Sequence, residues 1–193
     1  MLVLASTSPR RRQLLLNAAI EFVHEPVDVP EVPQPGESPL DYAQRLACDK
    51  ARAVWRQIAT DHRPSTNDMV LGADTVVVVD EHLLEKPRDE ADAARMLRLL
   101  SGRTHQVTTG VCLIGAGFED VRAETTVVTF DQLTEEDIRD YIARGEPMDK
   151  AGAYAIQGVA SRWIPRLDGC YFNVVGLPVP LVYRMLHQHG WKP

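Results

Sequence analysis

Hydrophobic and polar positions alternate along the chain in two rhythms, and switches between them mark the elements. Leu2 to Ala5 is a short apolar run that gives way to hydroxyls and then Pro9. Proline has a fixed φ and no N–H, which suits a first helical turn. Ser8 then reads as an N-cap, with Leu14, Leu15 and Ala18 as the apolar stripe. Glu21 to His24 reads as an edge strand, and Glu25 to Glu37, with Pro26, Pro30, Pro33 and Pro35, as an extended loop. Ser38-Pro-Leu-Asp41 resembles a capping box and predicts a helix to about Thr60, its face formed by Ala43, Leu46, Ala47, Val54 and Ile58. Met69 to Val79 is the strongest strand signal, a β-branched run suited to burial on both faces but interrupted by Asp74 and Thr75.

The second half continues the pattern. Asp80-Glu81 turns the chain into His82-Leu-Leu84, Asp89 caps a helix through Leu100, and Gly102 closes it. Thr104 to Ile114 alternates as a strand, with Val121 to Phe130 as its antiparallel partner across Gly115-Ala-Gly117. Thr134 starts another helix and Gly145 ends it. Gly145 to Gly158 is punctuated by glycine and fits neither period. Arg162 to Leu167 and Tyr171 to Val175 read as strands around Asp168-Gly169, and Pro180 to His189 as a closing helix. Strands and helices are interspersed, without a repeat or linker, so residues 1–193 are expected to form a single mixed α/β domain.

Several polar groups disturb this pattern. A strand–loop–helix start offers free N–H groups and a partial positive charge, and Ser6, Ser8, Arg10 and Arg11 gather there. The arrangement suits phosphate; a solvated basic turn is the plainer alternative. Lys50 falls on the inward face of its helix, where it either reaches water or meets an anion. Asp74, a carboxylate inside an apolar strand, needs a metal, a cation or a turn. Glu31 is the central acid of the proline-rich loop, Lys86 stands beside Pro87, and His105 reads as a structural hydrogen-bonding group.

Charge and cysteine usage narrow the class. The net charge of −6 argues against a general nucleic-acid coat, so the basic residues act locally. Cys48, Cys112 and Cys170 show no zinc spacing and no disulfide framework, which suits a reducing cytosol. The short apolar start precedes its arginines, the reverse of a signal peptide, and no apolar run reaches the ~20 residues of a membrane span.

Seven motifs occur in one order: Ala5-Ser-Thr-Ser-Pro-Arg-Arg11, Ala47-Cys-Asp-Lys-Ala51, Gly72-Ala-Asp-Thr75, Glu85-Lys-Pro87, Leu100-Ser-Gly-Arg-Thr-His105, Gly145 to Gly158, and Asn173-Val-Val-Gly-Leu-Pro178. Together they resemble the Maf family of nucleoside triphosphate pyrophosphatases over essentially the whole chain. The resemblance implies a Maf/ITPase-like α/β fold, with two lobes around a central mixed, twisted sheet and a cleft between them. It further implies a cytoplasmic hydrolase that converts a nucleoside triphosphate to monophosphate and pyrophosphate with Mg²⁺ or Mn²⁺. Asp74 matches the family's proton acceptor. Asp74 and Glu31 match its acidic metal-site positions, and Ser6, Arg11, Lys50 and Lys86 its phosphate-binding groups. Where relatives often carry Asp-Glu, this chain has Pro30-Glu31, so a second acidic ligand is missing.

Arg10, Thr75 and Gln157 match the dTTP/UTP branch, whereas the 7-methyl-GTP branch tends to Trp, Gln and Glu. An amide at Gln157 offers both a donor and an acceptor, as the edge of uracil or thymine does. The expected partner is a nucleoside triphosphate, with no nucleic acid and no membrane; a homodimer stays open. The alternatives are a pyrophosphatase for 7-methyl-GTP or other non-standard nucleotides, and a non-catalytic nucleotide-binding regulator of cell division.

Overall fold

The structure, a computed structural model, describes residues 1–61, 65 and 67–192. In chain order the elements are β1 (Leu2–Ala5), α1 (Pro9–Asn17), β2 (Val23–Glu25), α2 (Pro39–Asp61), β3 (Met69–Val79), β4 (His82–Leu84), α3 (Glu90–Leu100), β5 (Thr104–Gly115), β6 (Phe118–Thr129), α4 (Glu135–Ala143), β7 (Arg166–Asp168), α5 (Tyr171–Val175) and α6 (Val179–Gln188). The seven strands form one mixed sheet in the order β2-β1-β3-β5-β6-β7, with β4 added to β3. The α/β reading of the sequence therefore holds. No helix among the described residues is long and apolar enough to cross a membrane.

The chain divides into two compact units. The first comprises Met1–Asp74, Thr109–Glu124 and Gly176–Pro193. Within it β1 pairs in parallel with β2 (Val3 with Val23) and with β3 (Ala5 with Gly72). Three carboxyl ends thus lie on one side, the side on which parallel sheets place their sites. Beneath them Val3, Ala5, Ala47, Ala51, Val54, Val70 and Ile114 form a buried apolar cluster with Cys48 and Cys112. Gly72 decides how closely α2 lies on β3, because a Cβ there would stand 2.1 Å from the carbonyl oxygen of Ala47 and 2.9 Å from the amide of Ala51. Any side chain would push the helix off the sheet.

The second unit comprises Thr75–Thr108 and Thr125–Val175. Here β4 pairs antiparallel with the end of β3, and β7 with the end of β6. Thr134 and Asp137 form a reciprocal capping box on α4, and Asp89 caps α3, as their sequences predict. His105, Phe130 and Tyr154 meet edge to face, with ring centroids 4.8 to 5.4 Å apart.

The structure corrects the sequence reading in four places. β3 runs unbroken through Asp74 and Thr75, because Lys50 satisfies the acid within the strand. Tyr171–Val175 is helical, not extended: Asn173 is buried and donates to Val107 O and Thr126 Oγ1, and five apolar-rich residues are too few for periodicity to decide. The expected strand at Arg162 starts only at Arg166, after Pro165, which has no N–H to give a ladder; Val159–Trp163 is 3-10 helix. The hairpin turn is Ala116-Gly117 alone, with β6 starting at Phe118.

Candidate active site

β1 ends at Ala5, and Ser6, Thr7 and Ser8 form the loop that opens α1. Ser8 caps the helix by accepting from the Arg11 amide, and its own N–H donates to Ser6 Oγ at 3.2 Å. The Arg11 side chain folds back under this loop. Its Nε donates to Gly176 O at 2.8 Å and its Nη1 to Ser6 Oγ at 3.3 Å. Burial lowers the Arg11 pKa, and the charges of Asp74 and Glu31 oppose that effect. The ring of His24, on β2, lies 2.7 Å from Ser6 O and holds the same loop from the other side. Ser6 and Arg11 are thus anchored on regular structure, with Arg10 in the same first turn.

Lys50 is the centre of the charged cluster. Its Nζ donates to Asp74 Oδ1 at 2.6 Å and to Glu31 Oε1 at 2.6 Å. The Lys50 side chain is 8% exposed and that of Asp74 12%, so the lysine meets an anion instead of reaching water. Close seating of α2 on Gly72 brings the Lys50 ammonium level with an acid two residues further along β3. Glu31, reached through the proline-rich loop, is more open, at 35%. Two carboxylates around one ammonium make an oxygen donor set that fits a hard divalent cation. Such a set suits Mg²⁺ or Mn²⁺ better than a thiophilic ion.

The remaining predicted residues belong to the second unit. Thr75 follows Asp74 on β3 and, by strand alternation, presents to the opposite face. Lys86 lies just past β4 and is exposed beside buried Pro87. Gln157 is exposed in a turn, after 3-10 segments at Glu146–Asp149 and Ala151–Ala153. His105 is structural, as expected. It is buried, its Nε2 lies 2.8 Å from the Tyr154 hydroxyl, and desolvation pushes its pKa down to about 4.

Two residues that hold the Gln157 turn escape sequence reasoning. The Tyr141 hydroxyl donates to Glu146 Oε1 at 2.8 Å and accepts from the Ala155 amide at 3.1 Å. Glu146 Oε1 in turn accepts from the Val159 amide at 3.1 Å. The backbone is therefore gripped two residues before and two residues after Gln157. Glu146 lies inside the glycine-punctuated motif, so a signal existed for it. Tyr141 reads only as the apolar face of α4.

A strand–loop–helix start of the kind that suits an anion, in the same unit as a buried acid–lysine pair joined by the more open Glu31, defines an α/β protein with charged groups gathered near the carboxyl end of β1. A family model described as Maf-like protein matches residues 1–189, and the chain belongs to that family. It is 59% identical over 189 residues to a Koribacter versatilis protein named dTTP/UTP pyrophosphatase, covering 98% of this chain and 94% of that one. A Geobacillus protein of the same name is 48% identical over 190 residues, covering 98% of each. Among solved structures, the Staphylococcus aureus Ham1 protein aligns over 97% of this chain and 98% of that one, at 13% identity and a TM-score of 0.45.

Proposed function

We propose that the chain is a nucleoside triphosphate pyrophosphatase that hydrolyses dTTP and UTP to the monophosphate and pyrophosphate, as one catalytic domain over residues 1–193, in the cytoplasm. The observation that carries this reading is the buried Asp74–Lys50 pair, joined by the more open Glu31, in the same unit as the Ser6–Arg11 loop. The names of relatives at 59% and 48% identity support it.

Water attacks the α-phosphorus, the α–β anhydride bond breaks, and pyrophosphate leaves. The reaction needs charge neutralisation, an aligned water and a proton acceptor. Asp74 orients the water and takes its proton, from a strand position that packing holds rigid. Arg10, Arg11, Lys86 and the loop at Ser6 bind phosphate oxygens. Glu31 and Asp74 would hold Mg²⁺ or Mn²⁺, which supplies further charge neutralisation at the phosphates when bound. Lys50 keeps the two acids close together before substrate arrives and joins the phosphate-binding groups afterwards. Gln157 selects the pyrimidine, its amide matching the donor and acceptor edge of uracil or thymine, and Arg10 and Thr75 are the other two positions that match the dTTP/UTP branch.

Pyrophosphate release from a panel of triphosphates, with Mg²⁺ or Mn²⁺ and without either, tests the reading. Fastest release from dTTP and UTP is expected. Preference for 7-methyl-GTP moves the chain to the other branch, and binding without release makes it a regulator.

A further inference from the structure

Away from the Asp74 cluster, α2 carries a second group of ligand-bearing side chains. Cys48 on α2, Cys112 on β5 and Glu119 on β6 each place a ligand atom within 4.8 Å of the other two. All three lie in the first unit. The Cys112 thiol donates to the Cys48 sulfur, which lowers the Cys48 pKa and raises that of Cys112. We propose that Cys48, Cys112 and Glu119 form a binding site for a thiophilic d10 cation such as Zn²⁺, separate from the oxygen-donor site at Asp74 and Glu31.

The chemistry of the donors separates the two sites. Two sulfurs and one carboxylate select a soft or borderline ion, whereas carboxylates alone select Mg²⁺ or Mn²⁺. Tetrahedral zinc with Zn–S bonds of about 2.3 Å places its sulfurs about 3.8 Å apart, a spacing within reach of the observed group. Cys112 is fully buried and Cys48 is 5% exposed, but the Glu119 side chain is 35% exposed and leaves an open approach. Glu119 is paired with Arg52, at 2.5 and 3.0 Å. The pair is partly exposed and therefore of small worth, and Arg52 keeps Asp49, 3.9 Å away, when the carboxylate turns to a cation. Binding releases the two thiol protons to solvent, leaving two thiolates, one carboxylate and one water on the ion. It ties α2, which carries Lys50, to the β5–β6 hairpin.

The test titrates the reduced, chelator-treated full chain with Cd²⁺ and follows sulfur-to-cadmium charge-transfer absorption, then displaces Cd²⁺ with Zn²⁺. One equivalent with a two-thiolate band is expected, lost in Cys48→Ala and in Cys112→Ser and unchanged in Cys170→Ser. Glu119→Gln, a change at the open side, keeps the band and weakens binding about tenfold or more. Absence of the band, its survival in Cys48→Ala, or unaltered affinity in Glu119→Gln overturns the proposal. Should Cys112→Ser not fold, Cys48→Ala and Glu119→Gln decide.

Discussion

Asp74 sits inside an eleven-residue strand, with the charged ends of Lys50 and Arg11 buried in the same unit. Gln157 sits in a succession of turns held largely through the main chain: the Tyr141 hydroxyl accepts from the Ala155 amide, Glu146 accepts from the Val159 amide, and Lys150 Nζ donates to Glu146 O. The difference is physical. Buried charge demands fixed partners, because desolvation is repaid only by close opposite charges and hydrogen bonds, so the acid and its lysine stand on regular elements. A base-reading amide needs only the right donor and acceptor at the right place, and hydrogen bonds to the main chain on either side of it are enough. With the roles proposed for Asp74 and Gln157, reaction chemistry and choice of base would rest on different kinds of support.

The comparison can be broken most forcefully at Asp74. Asp74→Asn is expected to lower pyrophosphate release by about 10³-fold, within the range for a lost general base, with its melting temperature little changed because Lys50 keeps Glu31. Turnover near that of the unaltered protein removes Asp74 from the reaction. Gln157→Glu is expected to lower kcat/KM for dTTP and UTP by about 10- to 100-fold, since the site's amide partner becomes acceptor-only. An unchanged ranking across the nucleotide panel defeats the base-reading role.

Tyr141→Phe sharpens the contrast at smaller scale. It removes the hydroxyl that joins Glu146 to the Ala155 amide, and a hydrogen bond of about 1 kcal/mol corresponds to about fivefold. The expected effect is a raised KM for dTTP and UTP with kcat little changed; equal losses in kcat for every triphosphate assign the residue to general stability. A separate effect is read in stability, not rate. His105 titrates near 4 when folded against an ordinary 6.5. Between those values the unfolded chain binds the proton first, so the contribution is complete above pH 6.5 and declines as pH falls towards 4, by roughly 3 kcal/mol in all. Urea midpoints from pH 7 to 4.5 measure the slope, and His105→Gln flattens it. A slope unaltered in that variant assigns the dependence to carboxylates.

Local grammar was legible where neighbours in sequence decide it. Ser8, Asp89 and Thr134 cap helices as read, because a cap depends on residues three positions apart. The partner of Asp74 was not legible, only the need for one: Lys50 lies 24 residues away, and its arrival depends on α2 lying against Gly72. Tyr171–Val175 misled for a related reason. Its helical turn serves a buried Asn173 whose acceptors are on β5 and β6.

The sequence by itself determined the α/β class, the strand–loop–helix start at Ser6 and the family. These follow from spacing, propensity and motif order, which are written along the chain. Only the tertiary structure decided that Lys50 bridges Asp74 and Glu31, that Tyr141 and Glu146 grip the Gln157 turn, and that Cys48, Cys112 and Glu119 converge. Each depends on residues remote in sequence being pressed together by apolar burial, a force that acts on area and carries no trace of order along the chain.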